Sequence, residues 1–243
     1  MRSPRKLPTG FRGRSLSSTP VLWREAMKKR TAILISGRGS NMQSLVAAMR
    51  APAFPAEPAV VISNRPEALG LSWAAEQGIP VLAIDHRKYA NRMAFEARLH
   101  QTLLDHGAEI VCLAGFMRLL TGGFVDRWRD RLMNVHPSLL PSFPGLDTHQ
   151  RALDAGALIV GCTVHFVRTE MDSGPILAQA AIAVLPGDTA ETLAARVLEA
   201  EHQIYPLALE LVASGAVRVE NETAIISAEV AVPLPLIVPC LAR

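Results

Sequence analysis

The sequence predicts an α/β protein built on a doubly wound, mostly parallel twisted sheet with helices on both faces. Short β-branched runs, apolar on both faces, alternate with helix-favouring stretches, as strands buried between two helical layers should. The first of these runs passes directly into a glycine turn and a helix, the usual opening of an open α/β sheet. With 49% hydrophobic and 19% charged side chains, the 243 residues hold enough apolar material for a full core. Global disorder is thereby excluded.

Residues 32–35, 60–62, 81–84 and 110–113 read as the central strands. Between them, 42–49, 67–77 and 89–106 favour helix, and Gly78 and Gly107 stand at the stop positions of the last two. After residue 130 the pattern changes. A short strand at 132–135 leads into a loop with Pro137, Pro141 and Pro144, then a helix near 148–155. Two longer strands follow, 159–167 and 176–184, joined by a polar loop over 168–175. A helix over 189–214 starts with Thr189 at the N-cap and Glu191 in the first turn. There is no internal repeat.

Charge is unevenly placed. Residues 1–30 hold nine Lys or Arg against one Glu, a net of +8, which leaves −5 on the other 213. An acidic body argues against a nucleic-acid surface, which needs clustered basic side chains. The basic leader 1–30 is expected to be disordered. It resembles a transit peptide in composition and equally upstream DNA translated from a misassigned start; Met27 followed by Lys28, Lys29, Arg30 and a strand favours the second. One domain is expected over 31–226, followed by a proline-rich apolar tail, 227–243, that could pack on the domain or on a second subunit. Cys112, Cys162 and Cys240 are odd in number and form no CxxC, so neither a disulfide framework nor a cysteine zinc site is expected, and a reducing cytoplasm fits. No apolar run reaches the roughly 18–20 residues that span a bilayer.

Three segments carry chemistry. The strand at 32–35 runs into Ser36-Gly37-Arg38-Gly39-Ser40-Asn41 and a helix, where backbone N–H groups and the helix dipole can hold a phosphate. The segment is neither a GK[ST] loop nor a full GxGxxG, since Met42 takes the third glycine position; a monophosphate suits it better than a dinucleotide. The same glycines would also serve a tight turn with no ligand. Further on, the two-residue period of a strand puts Asn134 and His136 on one face. A carboxamide donor beside an imidazole suits acyl transfer: the amide can stabilise an oxyanion and the ring can move a proton near neutral pH. Asp172, in the polar loop, would orient that ring if the fold brought it alongside; as a turn residue it could equally be a solvated cap.

Taken together, these segments resemble the glycinamide ribonucleotide transformylases, the folate-dependent formyltransferases of purine synthesis. The resemblance runs from about residue 31 to 219 through Ile-Ser-Gly-x-Gly-Ser-Asn at 35–41, Leu-Ala-Gly-Phe-Met-Arg at 113–118, Asn-x-His-Pro-Ser-Leu-Leu-Pro at 134–141, Val-His-Phe-Val at 164–167, Asp-x-Gly-Pro at 172–175 and Glu-His-x-Ile-Tyr-Pro at 201–206. It implies a Rossmann-like formyltransferase fold and transfer of a formyl group from 10-formyltetrahydrofolate to the glycinamide amine, without a metal. Asn134, His136 and Asp172 fall on the family's catalytic positions. By the same resemblance Gly39, Ser40 and Asn41 hold the substrate phosphate and Glu201 the ribose hydroxyls. Arg92, Met117, Arg118, Leu119, Leu120, Asn134, Arg168, Thr169, Glu170, Met171 and Asp172 line the folate site, with Arg92 suited to the anionic glutamate tail. The implied partners are these small molecules, with no nucleic acid and no membrane, for a monomer or homodimer. One departure stands out: Asp147 occupies a position where the family commonly has histidine. Two rivals stay open, a formyltetrahydrofolate deformylase of the same fold and a non-catalytic nucleotide-binding domain.

Overall fold

The computed structural model describes residues 27–227 together with 236 and 238. The expectations for residues 1–26 and for nearly all of the tail lie outside them. Lys29 and Arg30, assigned above to the leader, belong instead to the first strand. Lys29 Nζ lies 2.7 Å from Glu109 Oε1, and Arg30 donates to the His106 carbonyl through Nε and Nη2.

Seven strands form one sheet: β1 (Lys29–Ile35), β2 (Ala56–Ser63), β3 (Val81–Ala83), β4 (Ile110–Leu113), β5 (Leu132–His136), β6 (Ile159–Phe166) and β7 (Ile176–Ala183). Their order is β3-β2-β1-β4-β5-β6-β7. The first five are parallel, β6 pairs antiparallel with β5 and β7 antiparallel with β6, so six of the seven strands share one direction and the sheet is mostly parallel as expected. Chain order reverses between β1 and β4, which opens the crevice where such sheets bind ligands.

Period-two alternation sorts the strands' side chains into two cores. Ile33, Ile35, Val61, Cys112 and Met133 face α1 (Ser40–Met49) and α6 (Ala190–Ala213), meeting Met42, Leu45, Leu193, Val197 and Tyr205. Ala32, Leu34, Val60, Ile62, Val111 and Leu132 face α3 (Arg92–Asp105) and α4 (Gly122–Arg127), meeting Phe95, Leu99, Phe124 and Trp128. The second core takes no residue from β6 or β7. On that face, therefore, these helices leave β6, β7 and the C-terminal end of β5 to other groups. The two remaining helices are α2 (Leu69–Glu76) and α5 (Thr148–Asp154).

Three local features differ from expectation. The helix expected over 89–106 starts at Arg92, because Asn91 caps it by accepting from Ala94 N at 2.9 Å; a separate 3₁₀ turn, His86–Lys88, precedes it. Helix α4 and a hairpin of β8 (Val217–Glu220) and β9 (Thr223–Ile226) were not anticipated. By contrast, Thr189 caps α6 as expected, accepting from Thr192 N.

Candidate active site

The part of the β5 and β6 face that α3 and α4 leave carries a polar cluster, in which His136, Thr163 and His165 are buried. Leu132 faces the second core, so Asn134 and His136 point the same way, and the antiparallel register sets His165 opposite Asn134 and Thr163 opposite His136. The loop after β6 folds back and brings Asp172 between the two rings. Its Oδ2 lies 3.4 Å from His136 Nδ1 and its Oδ1 3.9 Å from His165 Nε2. Asn134, His136 and Asp172, from two segments about 36 residues apart by strand periodicity and loop return, thus form one cluster.

Hydrogen-bond chemistry assigns the rings. His136 Nε2 sits 3.1 Å from the Phe143 carbonyl, so that nitrogen donates, and Asp172 Oδ2 lies 3.4 Å from Nδ1 on the other side of the ring. His165 Nδ1 lies 2.9 Å from the Phe166 carbonyl and donates there. Its Nε2 is then an acceptor for Asn134 Nδ2 at 3.4 Å. Burial pushes the His165 pKa down, which keeps this ring neutral. His165 therefore orients the Asn134 carboxamide and leaves the second Nδ2 hydrogen for another acceptor. Sequence reasoning gives it no role, although it lies in the Val-His-Phe-Val motif, because it stands inside the apolar run Val164-His165-Phe166.

Neighbouring loops hold the cluster. Gly145 N donates to Asp172 Oδ2 at 2.8 Å. Thr163 Oγ1 donates to the Ser138 carbonyl at 2.7 Å and accepts from Leu140 N at 3.0 Å, which pins the loop after His136. Asp147 is exposed at the N-cap of α5 with a φ of 55° and makes no side-chain cap bond.

At the end of β1, Gly39 adopts a φ of 74°, and the first turn of α1 begins at Ser40. The N–H groups of a first turn have no partner within the helix and point outward. Asn41 is buried; its Nδ2 donates to Glu201 Oε2 at 2.6 Å, while its Oδ1 has no partner. A buried acceptor without a donor is costly unless something fills the role. Burial raises the Glu201 pKa, and the bond from Asn41 opposes the shift. An acid whose folded pKa is raised binds its proton more tightly when folded, so stability is lost as pH climbs from the ordinary value of about 4.3 through the higher folded value. Glu201→Gln is expected to raise the melting temperature at pH 8 relative to the parent chain, with the gain vanishing near pH 4; thermal melts across that range test it, and a gain that persists at pH 4 contradicts it.

The residues expected around a folate divide into three groups. Met117, Leu119 and Met171 are each more than half exposed, and so is Leu146 close by, which makes an apolar rim. The two loops adjoin, because a Cβ on Gly122 would lie 3.2 Å from Thr169 Oγ1. Arg118, Leu120 and Glu170 lie along the same stretches, half-buried, half-buried and exposed respectively. Arg92 is exposed at the first position of α3. One helical turn further on, Glu96 accepts from Thr121 N at 2.8 Å and from the Thr121 hydroxyl, which ties that helix face to the 117–121 loop. Arg168 is different. Its guanidinium is bound to Asp130 at 2.6 Å and Glu222 at 2.5 Å, so its side chain braces the β8–β9 hairpin. From this residue the site can receive backbone contacts only.

A switch-point crevice with a glycine turn on one side and an Asn–His–Asp cluster on the other is the candidate site of this α/β protein. Its sequence pattern matches that of the formyl transferase family over residues 29–209. Among curated relatives, the trifunctional purine biosynthetic protein adenosine-3 of Bos taurus is 51% identical over 191 residues, 79% of this chain and 19% of that protein. The phosphoribosylglycinamide formyltransferase of Escherichia coli is 38% identical over 192 residues, 79% of this chain and 91% of that one. The crystal structure of glycinamide ribonucleotide transformylase 1 from Symbiobacterium toebii superposes with a TM-score of 0.82 at 44% identity, over 86% of this chain and 99% of that one. The chain belongs to the formyl transferase family. It spans 19% of the length of the first of these relatives, a much longer protein.

Proposed function

We propose that the chain transfers the formyl group of 10-formyltetrahydrofolate to the amine of glycinamide ribonucleotide, giving formylglycinamide ribonucleotide and tetrahydrofolate in purine synthesis. The observation that carries this reading is the meeting of Asn134, His136 and Asp172 in one largely buried cluster beside the crevice. The substrate amine attacks the formyl carbon and a tetrahedral oxyanion forms. The free Nδ2 hydrogen of Asn134 and a doubly protonated His136 stabilise that charge. Asp172 balances the charge on His136 and supports proton movement from the attacking amine to the leaving folate nitrogen. Preorganised donors of this kind need no rearrangement at the moment of reaction.

Gly39, Ser40 and Asn41 bind the phosphate, and Glu201, held by Asn41, binds the ribose hydroxyls. The pterin and its linker lie on the apolar rim of Met117, Leu119 and Met171, with Arg118, Leu120, Thr169 and Glu170 beside it, and Arg92 faces the glutamate tail. We place the enzyme in the cytoplasm, with small molecules as its partners. The test is a spectrophotometric assay of the folate product with and without glycinamide ribonucleotide. Product only in the presence of the ribonucleotide supports formyl transfer to it. Formate release without it identifies a deformylase, and calorimetric binding without turnover identifies a non-catalytic domain.

A further inference from the structure

Five residues, 143–147, set the orientation of both ionisable groups in the cluster. The Phe143 carbonyl takes the His136 Nε2 hydrogen, and Gly145 N donates to Asp172 Oδ2. This segment is conformationally improbable on its own. Phe143, Gly145 and Asp147 all have positive φ, at 52°, 82° and 55°, and the two non-glycine residues are disfavoured there. Such a loop keeps its shape only when its surroundings hold it.

One side chain contacts the segment at three points. Arg151, on α5, donates from Nη1 to the Pro144 carbonyl at 2.6 Å and to the Leu146 carbonyl at 3.2 Å, the residues on either side of Gly145. Its guanidinium carbon lies 5.8 Å from the centre of the Phe143 ring. Thus Arg151 grips the segment at both carbonyls flanking the amide that holds Asp172, and at the ring of the residue whose carbonyl holds His136. Arg151 is itself exposed and belongs to neither apolar core. We infer that Arg151 is a positioning residue for His136 and Asp172, acting through the 143–147 loop; this rests on the catalytic roles proposed above. Lysine can reproduce it only in part: an ammonium could donate to both carbonyls as Nη1 does, but it lacks the delocalised guanidinium that sits over the Phe143 ring.

The test uses the full chain and its Arg151→Ala and Arg151→Lys variants, with two readouts, steady-state formyl transfer and amide hydrogen exchange at Gly145. In Arg151→Ala, Gly145 exchange is expected to accelerate and kcat to fall about tenfold or more, the scale of misplacing reacting groups by a fraction of an ångström to one ångström. The KM for the ribonucleotide, whose phosphate loop lies on β1 and α1, is expected to stay within about twofold. Arg151→Lys should recover part of the kcat loss. A wild-type kcat in Arg151→Ala overturns the inference, as does a fall in kcat with Gly145 exchange unchanged. Should the alanine variant unfold, Arg151→Lys carries the same comparison: faster Gly145 exchange with a smaller kcat supports the inference, and parent values of both overturn it. If the parent chain itself transfers no formyl group, the proposed function fails, while the Gly145 measurement still reports whether Arg151 holds the loop.

Discussion

In His136→Ala, kcat for formyl transfer is expected to fall at least about a hundredfold, and in Asp172→Asn by a similar factor, the scale for losing an acid–base or oxyanion group. The two substitutions isolate different things. Alanine removes the ring and with it the donor to Phe143, whereas asparagine keeps the shape of residue 172. An asparagine oxygen can still accept from Gly145 N, and its amide nitrogen would take the place of Oδ1, which lies 3.9 Å from His165 Nε2. Only the charge beside His136 is lost, so the effect should appear in kcat with little change in melting temperature. Because the two side chains act as one unit, the double variant is expected to lose little more than the worse single one. Initial rates of tetrahydrofolate formation decide the matter, and turnover near the parent value in either variant would falsify the mechanism.

Gly174→Ala is expected to be nearly as damaging by a different route. A Cβ at this position would sit 1.7 Å from the Phe166 carbonyl oxygen and 2.8 Å from its carbon, a collision with backbone that no rotamer change relieves. Phe166 N donates to the Pro175 carbonyl at 2.9 Å, so the strand ends flanking the loop are already in contact and must be forced apart. Displacing this neck moves Asp172, two residues away, from His136. Overpacking alone lowers stability by about 1–3 kcal/mol, and misplacing Asp172 by about 1 Å lowers kcat by up to about a hundredfold. Ser173→Ala is the control. Its hydroxyl bonds only to the Glu170 carbonyl at 2.9 Å on an exposed turn, so near-parent melting and turnover are expected. A Gly174→Ala protein that melts and turns over like the parent would show that the neck is softer than its geometry implies.

Strand periodicity made the shared face of Asn134 and His136 readable in advance. Alternation alone put Asn134 beside His136, and apolar runs on both faces located β1, β2, β3 and β4. What alternation could not express was contact between segments. Asp172 needed the antiparallel return of β6 to reach His136, and in sequence it is one more polar turn residue. His165 was hidden by its neighbours, because a histidine between valine and phenylalanine reads as part of a buried strand. Arg168 was assigned to the folate site from its motif, yet its charge is claimed by Asp130 and Glu222, 38 and 54 positions away. Helix α4 escaped notice because it opens on Gly122-Gly123, poor helix formers. The β8–β9 hairpin turns on Asn221-Glu222, both at positive φ, where glycine would have signalled the turn.

The change from parallel to antiparallel pairing at β5 bears on how this chain can vary. Side-chain direction in β6 is locked to β5 residue by residue, so gaining or losing one residue between Ile159 and Asn134's partner would rotate His165 to the opposite surface and present Val164 or Phe166 to the carboxamide. Length changes around β2, α2 and β3, which contribute no residue to the Asn–His–Asp cluster, carry no such penalty. Insertions and deletions should therefore accumulate along one flank of the molecule while the other keeps its residue count, an asymmetry imposed by strand pairing rather than by the reaction.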